Sequence, residues 1–534
     1  MHDVAIAIFM ITSNEFGVYS DNWAVMNRNT ILFKPAEDLV NEGKLEEAAD
    51  AYRSIIVDAP GHPFAHHNFA ILLRKLNQIE GAIEQSQRAY ELSPDNPTIL
   101  LSLALSLEMG GFFGKAENFY KESLRYNPNY TAALNNLGHI LAHTERPLEA
   151  LPILQKAHKL NPHDSNIRLN LANVYISLGR PTEAERLIKE IKTAAAYNSL
   201  GIAKYVQRDW IGAKIQFKKA LSVEPDFAGA HENLALTLFH LKEFEAGWIE
   251  YDWRWKNTAN RLTKPILNKP IWNGGQLAGK TLLLHCEQGF GDAIQFVRYA
   301  GLIEKSGGKI FLACQPELLD LLKDAPGIDE AYIFGSRIPS YDFHAPLLSL
   351  PGINEYLETE PKAINSYLKV SAKRAKHRSP SKNLKIGICW AGRPRHLHDP
   401  YRNRRCPIKL FEILAQLPNV CFYSLQYNPD LSTDLTNITL IKNFPTILTF
   451  QDTAEAISKV DLVVSIDTAV IHLTGAMGKP GIVLLNYASD WRWGKGFGTA
   501  PWYPSIQMFR QEVPGNWDTV FDQVSTFIKQ TYFS

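Results

Sequence analysis

Two rhythms of apolar and polar positions divide the chain. In the first half a motif A-x-x-x-Ψ…P, with Ψ bulky and apolar, recurs as Ala48/Tyr52/Pro60, Ala116/Tyr120/Pro128 and Ala213/Phe217/Pro225, and its alanine-to-proline spacing returns in Ala82/Ala89/Pro94 and Ala150/Ala157/Pro162. Pro60, Pro94, Pro128 and Pro162 stand 34 residues apart each time. A partner signature precedes them: Phe69-Ala70, Leu103-Ala104, Leu137-Gly138, Leu171-Ala172, Leu200-Gly201 and Leu234-Ala235. Small residues there let two helices approach closely, and each proline ends the second helix before the next unit begins.

This self-similarity resembles a tetratricopeptide array of about seven units, starting near residues 29, 63, 97, 131, 165, 194 and 228. The fifth unit is short and lacks its closing proline, so its second helix is expected to end near Lys192. The last unit carries Gly247 where alanine is expected, followed by Trp248, Tyr251, Trp253 and Trp255. A terminal repeat with so bulky an apolar face predicts docking onto the next domain. Position six of each first helix reads Asn68, Ser102, Asn136, Asn170, Ser199 and Asn233. Such a column offers donors and acceptors to an extended peptide, although asparagine is also simply common at that position.

The second half alternates short unbroken apolar runs with amphipathic stretches, the pattern of α/β units. Strands are expected over 281–286, 309–314, 331–334, 385–390, 421–425, 438–440, 462–466 and 482–485, and a segment of the first lobe over 343–350 ends in Pro351-Gly352. Helices are expected over 293–304, 316–323, 408–416, 453–459, 469–477 and 516–530, and 487–503 reads as an aromatic-rich loop. Loose segments at 262–275 and 371–383 mark linkers, so two α/β lobes with a cleft between them are implied.

The stretch 461–485, DLVVSIDTAVIHLTGAMGKPGIVLL, is a complete βαβ unit. Asp467 and Thr468 stand at its strand-to-helix turn, where backbone N–H groups and the positive dipole end suit a diphosphate. Capping the helix is the alternative role for both, and His472 reads equally as a packed histidine. In the first lobe Gly289 and Gly291 permit a tight turn and close ligand approach, and Asp292 falls at the helix start, where it too can act as a cap. A cation-rich stretch with Arg393, Arg395, Arg402, Arg404 and Arg405 follows a strand end, suiting a phosphate-bearing ligand or a solvated loop.

Composition narrows the partners. The 534 residues suggest three or four domains, and a formal net charge of +1 argues against a nucleic-acid footprint. Five cysteines without a C-x-x-C pair read as reduced thiols in a cytoplasmic protein. No stretch has the ~20 apolar residues of a membrane span. Residues 4–11 are apolar but lack the flanks of a signal peptide; a weak signal sequence and a start at Met26 are the open alternatives for the N-terminus.

Three motifs converge on a family: CEQGFGDAIQFVRYA, ICWAGRPRHLHDPYRNRR, and the 461–485 unit with the following DWRWG and PWYP. Together they resemble the transferase half of bacterial tetratricopeptide-repeat glycosyltransferases, which is similar to the heptosyltransferase family (glycosyltransferase family 9) and has the GT-B fold. The fold class expected is thus α plus α/β: a tetratricopeptide α-solenoid followed by a GT-B-like pair of Rossmann-type lobes. The domains expected are an extension 1–28, repeats 29–256, an acceptor-side lobe 257–371, a linker 372–383 and a nucleotide-sugar-side lobe 384–534.

The resemblance implies that Asp292 is the general base and that Gly289, Gly291, Asp467, Thr468 and His472 hold the donor. It also implies that Arg404 or Arg405 neutralises the leaving phosphate, with no metal and no cofactor beyond the nucleotide-sugar co-substrate, and with inversion at the anomeric carbon. Cys406 stands where relatives carry serine or threonine. The expected reaction is sugar transfer to a Ser or Thr hydroxyl of a protein held in the repeat groove by Asn68, Asn136, Asn170 and Asn233, flagellins being one acceptor class that such fusions modify. The alternatives are a repeat scaffold with an inactive transferase fold and a glycan-directed, heptosyltransferase-like enzyme.

Overall fold

The computed structural model describes residues 23–257, 265, 267–303, 306–353, 363–369, 383–392, 406–426, 441–444 and 447–533, apart from the side chains of 23–31 and 441–443. The architecture is an N-terminal α-solenoid of helix pairs followed by α/β lobes. The described residues divide into two compact units, Met1–Ala203 and Lys204–Ser534.

In the first unit the helices are α1 (Trp23–Asn41), α2 (Leu45–Asp58), α3 (Pro63–Lys75), α4 (Ile79–Leu92), α5 (Pro97–Met109), α6 (Phe113–Tyr126), α7 (Thr131–His143), α8 (Pro147–Leu160), α9 (Ser165–Ser177) and α10 (Pro181–Ile188). Helix α11 (Ala194–Val206) runs across the division. Each helix packs on the next, through the alanines of the repeat: Ala48, Ala82, Ala116 and Ala150 are fully buried. Gly138 is needed because a Cβ there would stand 2.4 Å from Leu154 Cγ.

The turn inside each pair places one residue in the left-handed region, at Gly43, Asn77, Gly111, Glu145, Gly179, Arg208 and Lys242. Glycine and asparagine tolerate that conformation, whereas Glu145, Arg208 and Lys242 bear its strain. The second helix of the fifth pair stops at Ile188, with Lys189 as its C-cap, rather than near Lys192. There the Thr193 hydroxyl accepts from Ala196 N at 3.2 Å and opens α11.

The second unit begins with α12 (Trp210–Val223), α13 (Ala228–His240) and α14 (Phe244–Tyr251), which continues into a 3-10 turn at Asp252–Trp255. The first lobe follows: β1 (Thr281–His285), α15 (Phe290–Phe296), β2 (Lys309–Cys314), α16 (Pro316–Leu322), β3 (Glu330–Ile333) and β4 (Phe343–Pro346). Its sheet is parallel with order β3-β2-β1-β4. The helix expected over 293–304 starts earlier, at Phe290, and changes to a 3-10 helix at Val297–Leu302.

The second lobe holds β5 (Leu384–Cys389), α17 (Phe411–Ala415), β6 (Val420–Ser424), β7 (Ile441–Asn443), α18 (Phe450–Ser458), β8 (Leu462–Ile466), α19 (Ala469–Ala476), β9 (Gly481–Leu485), β10 (Gly498–Ala500), β11 (Tyr503–Arg510) and α20 (Asp518–Tyr532). The sheet order is β10-β11-β9-β8-β5-β6-β7, parallel except for β10. Strand β8 is buried at every residue, which explains its unbroken apolar run. The strand expected over 438–440 falls outside the described residues, and β7 begins at Ile441.

Two of the strands were not expected: β10 and β11 occupy the end of the aromatic-rich segment and the residues after it. In β11 Tyr503, Ile506, Met508 and Arg510 are buried and alternate with more exposed positions, a half-buried strand pattern. One apolar core joins the inner faces of both lobes to Phe239, Phe244, Trp248 and Tyr251 of the last helix pair. The aromatic terminal repeat is therefore built into the lobe core, within the compact unit Lys204–Ser534. Among the described residues no helix is long and apolar enough to cross a membrane.

Candidate active site

Both sheets reverse their strand order at a strand followed by a candidate loop. In the first lobe β1 lies between β2 and β4, and its carboxyl end leads into Cys286–Asp292. In the second lobe β8 and β6 flank β5, and β8 leads into Asp467 and Thr468. Such reversals open a crevice at the carboxyl edge of a parallel sheet, the usual ligand position in α/β folds.

The two loops meet. Gly289 is the N-cap of α15 and Gly291 lies in its first turn, where a Cβ would stand 3.0 Å from His472 Cδ2 and 3.5 Å from Ala469 Cα. The N-terminal ends of α15 and α19 thus touch across the lobes, and only glycine at 291 leaves room for it. Asp292, His472 and the Asp467–Thr468 turn are thereby gathered in one region. Further fastening comes from Arg298, whose guanidinium donates to Trp502 O at 3.1 Å and Tyr367 Oη at 3.0 Å.

Thr468 occupies the N-cap of α19, yet its side chain makes no cap hydrogen bond. Its Oγ1 instead lies 3.0 Å from Ser465 Oγ, so the Thr468 side chain does not cover the first-turn amides of α19. His472 is buried, with Nδ1 3.0 Å from Tyr503 Oη and Nε2 3.6 Å from Asp467 Oδ1. That second distance is an electrostatic contact, too long for a hydrogen bond. The tyrosine contact supports packing of the ring, while the aspartate contact fixes its orientation toward the turn.

Asp292 receives a hydrogen bond from Arg492 Nη2 at 2.8 Å. Arg492 Nη1 donates to both oxygens of Asp490, at 3.0 and 3.1 Å. Burial opposes the charge on Arg492, but Asp490 and Asp292 more than offset it and raise its pKa above the usual value. Arg510, buried at the end of β11, donates to Gly494 O at 2.8 Å and to Ser489 Oγ. Burial, with Arg208 adding to it, lowers its pKa to about 10 against the pull of Asp467.

The loop before Asp292 is held from the terminal repeat. Arg254, fully buried, donates to Glu287 Oε1 at 2.6 Å and to Ser349 Oγ at 2.7 Å. Burial pushes the Glu287 carboxyl up to about 7 in spite of Arg254, with Asp292 adding to the rise. Tyr251 Oη donates to Gln288 Oε1 at 3.2 Å. Glu287, Arg254, Arg492 and Arg510 were not singled out from the sequence. For Glu287 the adjacent glycine-rich turn was the available signal, and for Arg492 the DWRWG motif.

Other expected residues stand elsewhere. Arg404 and Arg405 lie outside the described residues, as do Arg393, Arg395 and Arg402. Cys406 is buried against Trp390, with Sγ 3.8 Å from Trp390 O, and acts as a core residue. In the repeats Asn68 is 5% exposed, which removes it from any open groove surface. Asn136, Asn170 and Asn233 are half-buried, and Asn170 Nδ2 donates to Asn135 Oδ1 at 3.0 Å. The column is therefore partly spent on contacts within the array.

Comparisons with known proteins follow this division. The model of glycosyltransferase family 9 (heptosyltransferase) matches residues 438–519, which contain Asp467, Thr468, His472, Arg492 and Arg510 but not Asp292. Tetratricopeptide-repeat models match residues 101–164 and 141–198. Protein FlbA of Caulobacter vibrioides is 25% identical over 502 residues, spanning 80% of this chain and 83% of that one. Protein O-mannosyl-transferase Tmtc3 of Drosophila melanogaster is 26% identical over 157 residues, covering 28% of this chain but only 17% of its own length. A solved tetratricopeptide repeat protein from Parabacteroides merdae covers 41% of this chain and 90% of its own, at 20% identity and a TM-score of 0.37. The chain thus joins tetratricopeptide repeats to a glycosyltransferase family 9 (heptosyltransferase) region in its second α/β lobe.

Proposed function

We propose that this chain is a GT-B, metal-independent, inverting glycosyltransferase that moves a sugar from a nucleotide-sugar to a Ser or Thr hydroxyl of a protein. The observation that carries the reading is the close approach of α15 and α19 at Gly291. It sets a carboxylate, Asp292, beside a helix end that its N-cap residue Thr468 leaves uncapped, near the switch points of the two sheets. A base and an anion site in one cleft are the two parts that a single displacement needs.

In this reading Asp292 takes the proton of the acceptor hydroxyl as its oxygen bonds to the anomeric carbon. The bond from that carbon to the phosphate breaks on the opposite face, and the nucleotide leaves with the electron pair. Amides and dipole of α19 stabilise its charge, Asp467 and His472 order the turn, and Arg404 or Arg405 adds a cation. The repeats capture the polypeptide, with flagellins one candidate class, and all five cysteines, being free thiols, suit the cytoplasm.

A thermal-shift screen against UDP-, GDP-, ADP- and CMP-sugars tests the donor site, because a ligand of the folded state raises the melting temperature. One nucleotide is expected to give a shift that Asp467→Ala abolishes. No shift with any of the four would turn the assignment toward an inactive scaffold.

A further inference from the structure

We infer that Arg492 is the positioning residue of the catalytic carboxylate and that the terminal repeat seats it. This inference rests on the transferase reading above. Arg492 is 200 residues from Asp292 in sequence and belongs to the other lobe, yet its guanidinium binds Asp292 Oδ1 at 2.8 Å. It engages that oxygen alone, and among the described residues the Asp292 carboxylate makes no other hydrogen bond. The Asp292 side chain stays 17% exposed, and in this inference its second oxygen is the one that meets the acceptor hydroxyl.

Arg492 is itself held at both terminal nitrogens. Asp490 takes both its Nη1 bonds and its backbone N–H, the last at 2.9 Å. Its guanidinium carbon lies 5.4 Å from the centre of the Phe296 ring in the first lobe and 4.9 Å from that of Trp491. The Trp491 ring in turn stands 4.5 Å from Phe239, 6.0 Å from Trp248 and 6.3 Å from Phe244, the aromatic wall of α13 and α14. Arg510 clasps the following residues through Gly494 O.

A carboxylate that must meet a hydroxyl in line with a leaving group gains from being fixed in advance. A misplacement of about 1 Å costs on the order of 10²-fold in rate. A planar, always-charged guanidinium already anchored by a second carboxylate supplies such a fixed reference, which a flexible lysine does less well. The last repeat is then part of the reacting centre's support, in addition to any part in acceptor capture.

The test measures nucleotide release by the full chain from UDP-, GDP-, ADP- and CMP-sugars, with a pool of denatured bacterial protein as acceptor. Wild type, Asp292→Asn, Arg492→Gln and Arg492→Lys are compared. Arg492→Gln is expected to lower kcat on the order of 10²-fold with donor KM within about 3-fold, since it acts through the base and not on the donor. Arg492→Lys is expected to recover part of that loss, and the donor-induced melting shift should persist in both variants, which shows that each is folded.

Wild-type kcat in Arg492→Gln while Asp292→Asn is inactive would overturn the inference alone. A raised donor KM at unchanged kcat would also overturn it, making Arg492 a donor ligand. Absence of release by the wild type with every donor would defeat the transferase reading itself, and this inference with it.

Discussion

Interior repeats and the terminal repeat turn one motif to different ends. In the interior pairs, fully buried alanines such as Ala116 and Ala150 set the distance between the helices, and the packing is between neighbours in the array. In α13 and α14 the corresponding position is Gly247, because a Cβ there would stand 2.5 Å from Phe239 Cε1. Phe239 fills that space since its ring also packs on Trp248, at 4.4 Å, and on Trp491 of the second lobe. The departure from the repeat pattern, more than the pattern, marks where helices stop serving the array and start serving the lobes.

The strongest way to sharpen this contrast is catalytic. Asp292→Asn keeps the shape of the side chain but removes a base, and is expected to lower nucleotide release by about 10²- to 10⁴-fold. Activity near that of the wild type would break the assignment of the site to the lobes.

Acid should act next, on buried histidines of both units. Burial lowers the pKa of His67 in the first unit, and of His240 and His285 in the second, from 6.5 to about 3. Between those values the unfolded chain binds a proton that the folded chain refuses. The stability is therefore present above pH 6.5 and lost as pH falls toward 3, by up to about 1.4 kcal/mol per pH unit for each histidine. Hydrogen exchange between pH 6.5 and 4 should show protection falling around His67, His240 and His285. Protection unchanged over that range would show that burial does not hold these rings neutral.

A smaller effect is expected from Gly247→Ala, which forces Phe239 out of its place and should cost about 1–3 kcal/mol. Ala150→Gly in an interior repeat should cost about 1 kcal/mol, from helix propensity and lost packing. Calorimetric melting compares them, and an unchanged melting temperature in Gly247→Ala would show that the terminal repeat has room to spare. The smallest change expected is a gain: Glu145→Gly relieves a left-handed backbone at φ 68°, worth about 1 kcal/mol or less once glycine's own entropy is counted.

What the sequence made legible follows the same boundary. Helices begin at Pro63, Pro97, Thr131, Ser165, Ala194 and Ala228, the repeat starts read from the alanine and proline spacing, because each pair packs on its neighbours. The βαβ unit at Asp467 was legible for a similar reason, with strand, turn and helix contiguous in the chain. Strand β11 went unrecognised although Tyr503, Ile506, Met508 and Arg510 alternate, since the aromatic run before it suggested a loop. The contacts of Asp292 with Arg492 and of Glu287 with Arg254 join residues 200 and 33 positions apart. No local periodicity encodes such pairs, so the motifs that carry Glu287 and Arg492 did not say which residues they would meet.

The wedge of Phe239 against Gly247 and Trp491 also bears on how such a chain changes over descent. Duplication or loss of a whole unit upstream alters the array in steps of 34 residues and leaves every partner of Trp491 in place. The reach of the array can therefore drift between lineages while the loop beneath Asp292 keeps its seat. Selection should fall hardest on the last pair of helices, the part of the array least free to vary.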